Sequence, residues 1–100
     1  MAVYVVASVK FTDEARYRCY QSRFEQVFAG CGGTLLSADD QPLRLEGSDS
    51  PDRIVLMQFD GAEQASAFLL SDEYQEISRD RLAGSVTIAH AVHALDPPLR

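Results

Sequence analysis

The chain has 100 residues, a formal net charge of -6 at pH 7, 46% hydrophobic residues and 24% charged ones. This length suits one domain over residues 1–100, and the composition is too apolar for a disordered chain. The acidic balance argues against nucleic acid or an anionic membrane surface as a partner, because both need clustered Lys and Arg.

Met1 to Lys10 is apolar but has no basic lead and no small-residue cleavage pattern, so it reads as a strand rather than a targeting segment. No apolar run approaches the roughly 20 residues of a membrane span. The expected location is cytoplasmic. Within Ala2 to Val9, Val3, Val5, Ala7 and Val9 lie on one side, with Tyr4, Val6 and Ser8 on the other. Both sides are largely apolar, as in strands covered on both faces.

Thr12 or Asp13 is then placed to cap a helix, with Glu14 in its first turn. Tyr17, Tyr20, Phe24, Val27 and Phe28 recur at helical spacing as one stripe, and Gly30 is a natural stop. Cys19 and Cys31 fall on this helix and its exit. The helical rise puts them roughly 18 Å apart, too far for a disulfide. Free thiols are expected, and no Cys/His cluster suggests zinc.

Thr34 to Ala38 reads as a strand, interrupted by Asp39-Asp40-Gln41-Pro42, which lacks the ligand spacing of a calcium loop and reads as a solvated turn. Leu43 to Glu46 is expected to resume the strand. Arg53 to Phe59 is the strongest strand, with Ile54, Leu56 and Gln58 facing one way and Val55, Met57 and Phe59 the other. Asp60 and Glu63 have the spacing of a capping box. Ala65, Phe68 and Leu69 follow on a helical face. Ser71 caps a second helix carrying Tyr74, Ile77 and Leu82, which Gly84 ends. Ser85 to Leu95 is the last strand.

The order strand, helix, strand, strand, helix pair, strand gives an α+β, ferredoxin-like β-α-β-β-α-β sandwich. Its antiparallel four-stranded sheet carries helices on one face. The other face is apolar as well, and a second copy of the chain is the economical cover. A homodimer is expected.

The run from Pro51 to Phe59, then Ala65 and Phe68, then Ser71-Asp72-Glu73-Tyr74-Gln75 and Arg81 resembles the family called domain of unknown function 1330. Gly32-Gly33 and Leu45-Glu46-Gly47 are similar to it too, so the likeness covers nearly the whole chain. The resemblance implies a subunit of the dimeric α/β-barrel superfamily. Its members include cofactor-free monooxygenases, haem-degrading enzymes and small isomerases, while this family has no agreed reaction. The sequence departs from the family pattern at Gln58, where Glu is frequent, and at Asp60-Gly61, where Pro-Ser is frequent. A glutamine cannot serve as a general base.

Four residues stand out as ligand-binding candidates: Arg81, Tyr74, Gln58 and His90. Arg81 falls between Tyr74 and Ile77 on the helical wheel, on the apolar face. It either anchors an anionic group or pairs with Asp80 or Glu73, or snorkels over the helix end. Tyr74 either presents its hydroxyl to a cleft or bonds a backbone carbonyl at the core edge. Gln58 alternates with Ile54 and Leu56 and either lines a pocket or meets a cross-strand partner.

His90 and His93 are three apart on a strand and point to opposite faces, so they cannot share a metal. Whichever lines the space between subunits is a candidate base. The alternative is a hydrogen-bonded structural histidine. Gly30, Gly32 and Gly33 follow a helix, unlike a phosphate loop. No metal or cofactor is expected, and no Ser-His-Asp constellation can be defended. Two functions remain: a small-molecule-binding dimer with a pocket between sheet and helices, extending to a cofactor-free enzyme, or a non-catalytic dimerisation module.

Overall fold

The computed structural model describes all residues from Met1 to Arg100. Its elements are β1 (Val3–Phe11), α1 (Glu14–Phe28), β2 (Thr34–Asp39), β3 (Arg53–Phe59), α2 (Ala62–Leu69), α3 (Asp72–Gly84) and β4 (Ser85–His93). The sheet order is β2-β3-β1-β4 and every neighbouring pair is antiparallel. The expected ferredoxin-like topology is therefore present, with its second helical segment split in two. No helix is long and apolar enough to cross a membrane.

Strand pairing fixes the two faces, because directly opposed residues share a side. Val3, Val5 and Val9 of β1 oppose Phe59, Met57 and Arg53 of β3, and all six are buried beneath the helices. Tyr4, Val6 and Ser8 oppose Gln58, Leu56 and Ile54 on one flank and Val92, His90 and Ile88 on the other. These residues form the second face, which no element of the chain covers. Val86, Ile88 and Val92 there are exposed.

The helices follow from local chemistry. Asp13 caps α1, its carboxylate accepting the Arg16 N–H at 3.3 Å. Tyr17, Tyr20 and Phe24 are buried along one side of α1, as the stripe predicts. Gly30 takes the left-handed conformation past the helix end, at φ 81°. Ser71 caps α3 by accepting the Tyr74 N–H.

Gly84 closes α3 where the chain returns against α1. Its carbonyl accepts both the Thr12 and Asp13 N–H groups, and a Cβ there would stand 2.5 Å from the Tyr17 nitrogen. Only glycine allows that approach. Phe24, Phe28, Phe59, Phe68 and Tyr74 pack with ring centroids 4.8–6.5 Å apart, forming an aromatic centre between helices and sheet.

Three local expectations fail. Leu43 to Glu46 is not a strand but an exposed loop, with Leu43 83% and Leu45 88% exposed. Pro42 supplies no N–H for a ladder and nothing pairs beyond Asp39. The capping box at Asp60 and Glu63 does not form. Gly61 is the N-cap of α2, and Gln64 reaches back to accept the Asp60 N–H at 2.7 Å. Asp39-Asp40 is not merely a solvated turn, for reasons that lie in β2.

A bulge between Leu35 and Ser37 adds one residue to β2. Leu35 and Ala38 consequently both share the helix side, opposite Met57 and Val55. The alternation then carries Asp40, rather than Asp39, toward that side. Asp40 accepts a hydrogen bond from buried Arg53 at 2.7 Å and pairs with Arg18 at 3.2 Å. Asp39 turns away and caps its own turn by accepting the Gln41 N–H.

Candidate functional site between the sheet and its helices

The helix-covered face of the sheet does not close completely. Two adjoining lobes open beneath the helices, and both are walled by Tyr17, Tyr20 and Val55. The wider lobe, about 380 Å³, runs toward β2 and includes Phe24, Leu35, Asp40 and Arg53. The narrower, about 280 Å³, runs toward β4 and includes Leu70, Tyr74, Gln75, Arg81, Thr87 and Ala89. Apolar walls with a few polar groups are the usual make-up of a small-molecule site.

In the narrower lobe, helix spacing on α1 and α3 brings two tyrosines tip to tip. The Tyr20 and Tyr74 hydroxyls lie 3.1 Å apart in a buried hydrogen bond. This pairing replaces the backbone carbonyl expected for Tyr74. Burial pushes the Tyr20 phenol far above its ordinary value, and the neighbouring Tyr74 adds to the effect. It therefore stays protonated and neutral at any physiological pH.

Arg81 makes neither of the expected ion pairs. Asp80 is held instead by Arg16 of α1 at 2.9 Å, and no carboxylate lies within salt-bridge distance of the Arg81 guanidinium. The Arg81 Nε is buried without a hydrogen-bond partner. A cation beside an apolar space with no counter-ion is costly unless something else meets it. The lobe contains no carboxylate or imidazole among its walls, so it offers donors and no general base.

In the wider lobe, Arg53 is 8% exposed. Its guanidinium stands 5.9 Å from the centre of the Tyr17 ring and grips Asp40. Burial raises the Tyr17 phenol against the opposing pull of Arg53. The Asp40 carboxyl is held below the usual carboxylate range, first by its hydrogen bond from Arg53; burial pushes the other way, and the Arg53 and Arg18 charges add to the lowering. Arg53 Nε, like that of Arg81, is buried and unpartnered.

The four sequence candidates thus divide. Arg81 and Tyr74 meet in the narrower lobe. Gln58 and His90 lie on the opposite, uncovered face, Gln58 beside Tyr4 and His90 beside Val6. They cannot join Arg81 and Tyr74 at one ligand in the same subunit. His93 has the parity of the covered face but is exposed at the strand end.

Arg53, Asp40 and Tyr20 were not singled out by the sequence reading. Arg53 carried a signal, since it shares parity with Val55, Met57 and Phe59. Tyr20 read as core, and the β2 bulge hid Asp40. No group of three or more His, Cys, Asp or Glu side chains is arranged to hold a metal ion.

The profile of the family described as Domain of unknown function (DUF1330) matches residues 2–95. The chain belongs to this family. Among solved structures, this DUF1330 chain is similar to a protein of unknown function from Rhodopseudomonas palustris. The identity is 15%, the TM-score 0.80, and the match covers 94% of this chain and 82% of that one.

It is also similar to SnoaB, a cofactor-independent oxygenase from Streptomyces nogalater. That match has 14% identity and a TM-score of 0.66, over 94% of this chain and 93% of that one. A dimeric protein of unknown function and ferredoxin-like fold from Bacteroides fragilis matches at 9% identity and TM-score 0.66, over 92% and 95% of the two chains. At these identities the likeness establishes the fold of this DUF1330 member. No curated protein matches the sequence.

Proposed function

We propose that the chain binds a small organic anion in the space between its sheet and helices, and that it works as a homodimer in the cytoplasm. The observation that carries the ligand reading is Arg81, whose buried Nε lacks a partner at a lobe otherwise walled by apolar groups and the Tyr20–Tyr74 hydroxyl pair. A cation and neutral phenols present donors to a carboxylate, phenolate or enolate oxygen, and such charge-assisted bonds are the strong ones. Without a general base in that lobe, the arrangement favours binding and oxyanion stabilisation over proton abstraction. SnoaB's description as a cofactor-independent oxygenase supports a wider form of the proposal, in which the held anion reacts without a resident cofactor.

The homodimer reading rests on the uncovered apolar face and on the described dimer of the Bacteroides fragilis relative. The same face supports the second reading, a dimerisation module with no ligand. The cytoplasmic placement draws on Cys19 and Cys31, which are both free.

Thermal unfolding against a panel of small aromatic and aliphatic acids separates the two readings. A ligand at one hundred times its Kd adds about 2.7 kcal/mol to the folded state. At least one acid is expected to raise the midpoint of the wild type and not of Arg81→Gln. No shift with any acid leaves the dimerisation module.

A further inference from the structure

Arg81 is not the only cation left incomplete. Arg53 and Arg81 are the two arginines whose Nε is buried without a hydrogen-bond partner of its own. They line adjoining lobes that share Tyr17, Tyr20 and Val55 as walls. Their placement follows from the sheet. Val9 of β1 opposes Arg53 on one side and Thr87 on the other, and Thr87 lines the lobe of Arg81. Two strand spacings, roughly 10 Å, therefore separate the Arg53 backbone from the β4 wall of the far lobe.

The walls that the two lobes share are apolar or neutral, and the carboxylates of the wider lobe, Glu25 and Asp40, are exposed. Both phenols are raised by burial and stay un-ionised. Arg53 has one internal partner, Asp40, but that carboxylate is 45% exposed and sits at the rim on the loop side of β2. It satisfies one terminal nitrogen of Arg53 and leaves the buried Nε without a partner.

Resting on the proposed anion-binding reading, we infer that the ligand has two acidic ends joined by an apolar middle. One end meets Arg81 and the Tyr20–Tyr74 hydroxyls. The other meets Arg53, in competition with Asp40. Ligand pockets run from about 300 Å³ upward; the narrower lobe, about 280 Å³, falls short of that and the wider, about 380 Å³, lies near its lower end. A molecule bridging both makes fuller use of the space and sets an acidic group beside each arginine. The substrate class is therefore a dicarboxylate, or an aryl acid with a second oxyanion at its far end.

The test uses the full-length protein and two series of probes by titration calorimetry: straight-chain α,ω-dicarboxylates of four to ten carbons and the monocarboxylates of matching length. One chain length is expected to show an optimum at which the diacid binds at least about tenfold tighter than its monoacid. Arg81→Gln and Arg53→Gln should each erase that advantage. Asp40→Asn, which removes the competing carboxylate, should enlarge it at least about twofold. This last variant keeps the assay decisive if Arg53→Gln fails to fold.

Diacids binding no tighter than monoacids at every length, with monoacid binding still lost in Arg81→Gln, would overturn the two-ended ligand and leave the anion site standing. Absence of binding by every probe in both series would remove both. An advantage that persists in Arg81→Gln would place the acidic ends elsewhere and also defeats the inference.

Discussion

The two faces of the sheet are made from the same residue types and have opposite fates. On one, Val3, Val5, Val9, Met57 and Phe59 are buried under a layer of aromatic rings from α1, α2 and α3. On the other, Val86, Ile88 and Val92 stand 46–59% exposed beside Val6, Leu56 and Ile54. Alternation in a strand assigns a residue to a face and says nothing about what lies over that face. The covered face gets its cover from the chain, and only there do charged side chains end up desolvated. Desolvated charge consequently gathers under the helices, while the apolar side chains of the other face stay bare.

Substitutions of comparable size on the two faces should have very different effects on the subunit. Phe68 is 5% exposed and touches the rings of Phe24, Phe28, Phe59 and Tyr74. Phe68→Ala is expected to cost about 3–5 kcal/mol, from lost transfer energy and the cavity left behind. Urea unfolding measures it directly. A loss under about 1 kcal/mol would mean that the aromatic layer does not hold the covered face. Ile88→Asp, at 59% exposure, should change subunit stability little. It should weaken the proposed dimer by at least about 2 kcal/mol, because it places a carboxylate in an apolar contact. Sedimentation across a concentration series reads that change, and an unaltered dimer would move the interface to another surface.

The faces themselves were legible in the sequence. Strict alternation through Val3–Val9 and Ile54–Phe59, caps at Asp13 and Ser71, and the stop at Gly84 were enough to lay out four strands and their helices. The site was legible only in part. Arg81 and Tyr74 could be placed together because seven residues bring a helix back to the same side. Gln58 and His90 could not be excluded from that group, since parity alone does not reveal which of two apolar faces the helices choose. Arg53 and Asp40 are thirteen residues apart across an irregular loop. One bulge residue decides that Asp40, not Asp39, reaches the guanidinium, and nothing in the composition of Leu35-Leu36-Ser37 announces it.

Within the covered face, the hydroxyl pair should matter less than the rings that surround it. Tyr20→Phe removes one partner and leaves the Tyr74 hydroxyl buried without its bond, at a cost of about 1–2 kcal/mol. The double variant with Tyr74→Phe should cost less than the sum of the single ones, because no polar group is then stranded. Burial raises the Tyr20 phenol above its ordinary 10.0. Stability tied to that group is fully present below 10.0 and falls as pH rises beyond it toward the raised value. Tyr20→Phe should therefore flatten alkaline unfolding. Additive single losses, with an unchanged alkaline limb, would show the two hydroxyls to be independent.

The smallest effect belongs to the rim of the same face, at Asp40. Its carboxyl is lowered from 3.8 chiefly by the hydrogen bond from Arg53. A depressed carboxyl contributes stability above its unfolded value and loses it as pH falls through the lower, folded one. With 45% of its side chain in solvent, Asp40 is screened, and its contribution should stay below about 1 kcal/mol at neutral pH. Asp40→Asn should thus unfold slightly more easily than the wild type at pH 7. The gap should begin to close as pH falls below the ordinary carboxylate value and vanish below the lowered one, where both side chains are neutral. A gap that persists at pH 2 would mean that Asp40 holds the β2 edge by shape and hydrogen bonding rather than by charge. Arg53 would then be less available to an acidic ligand than its place in the wall of the wider lobe implies.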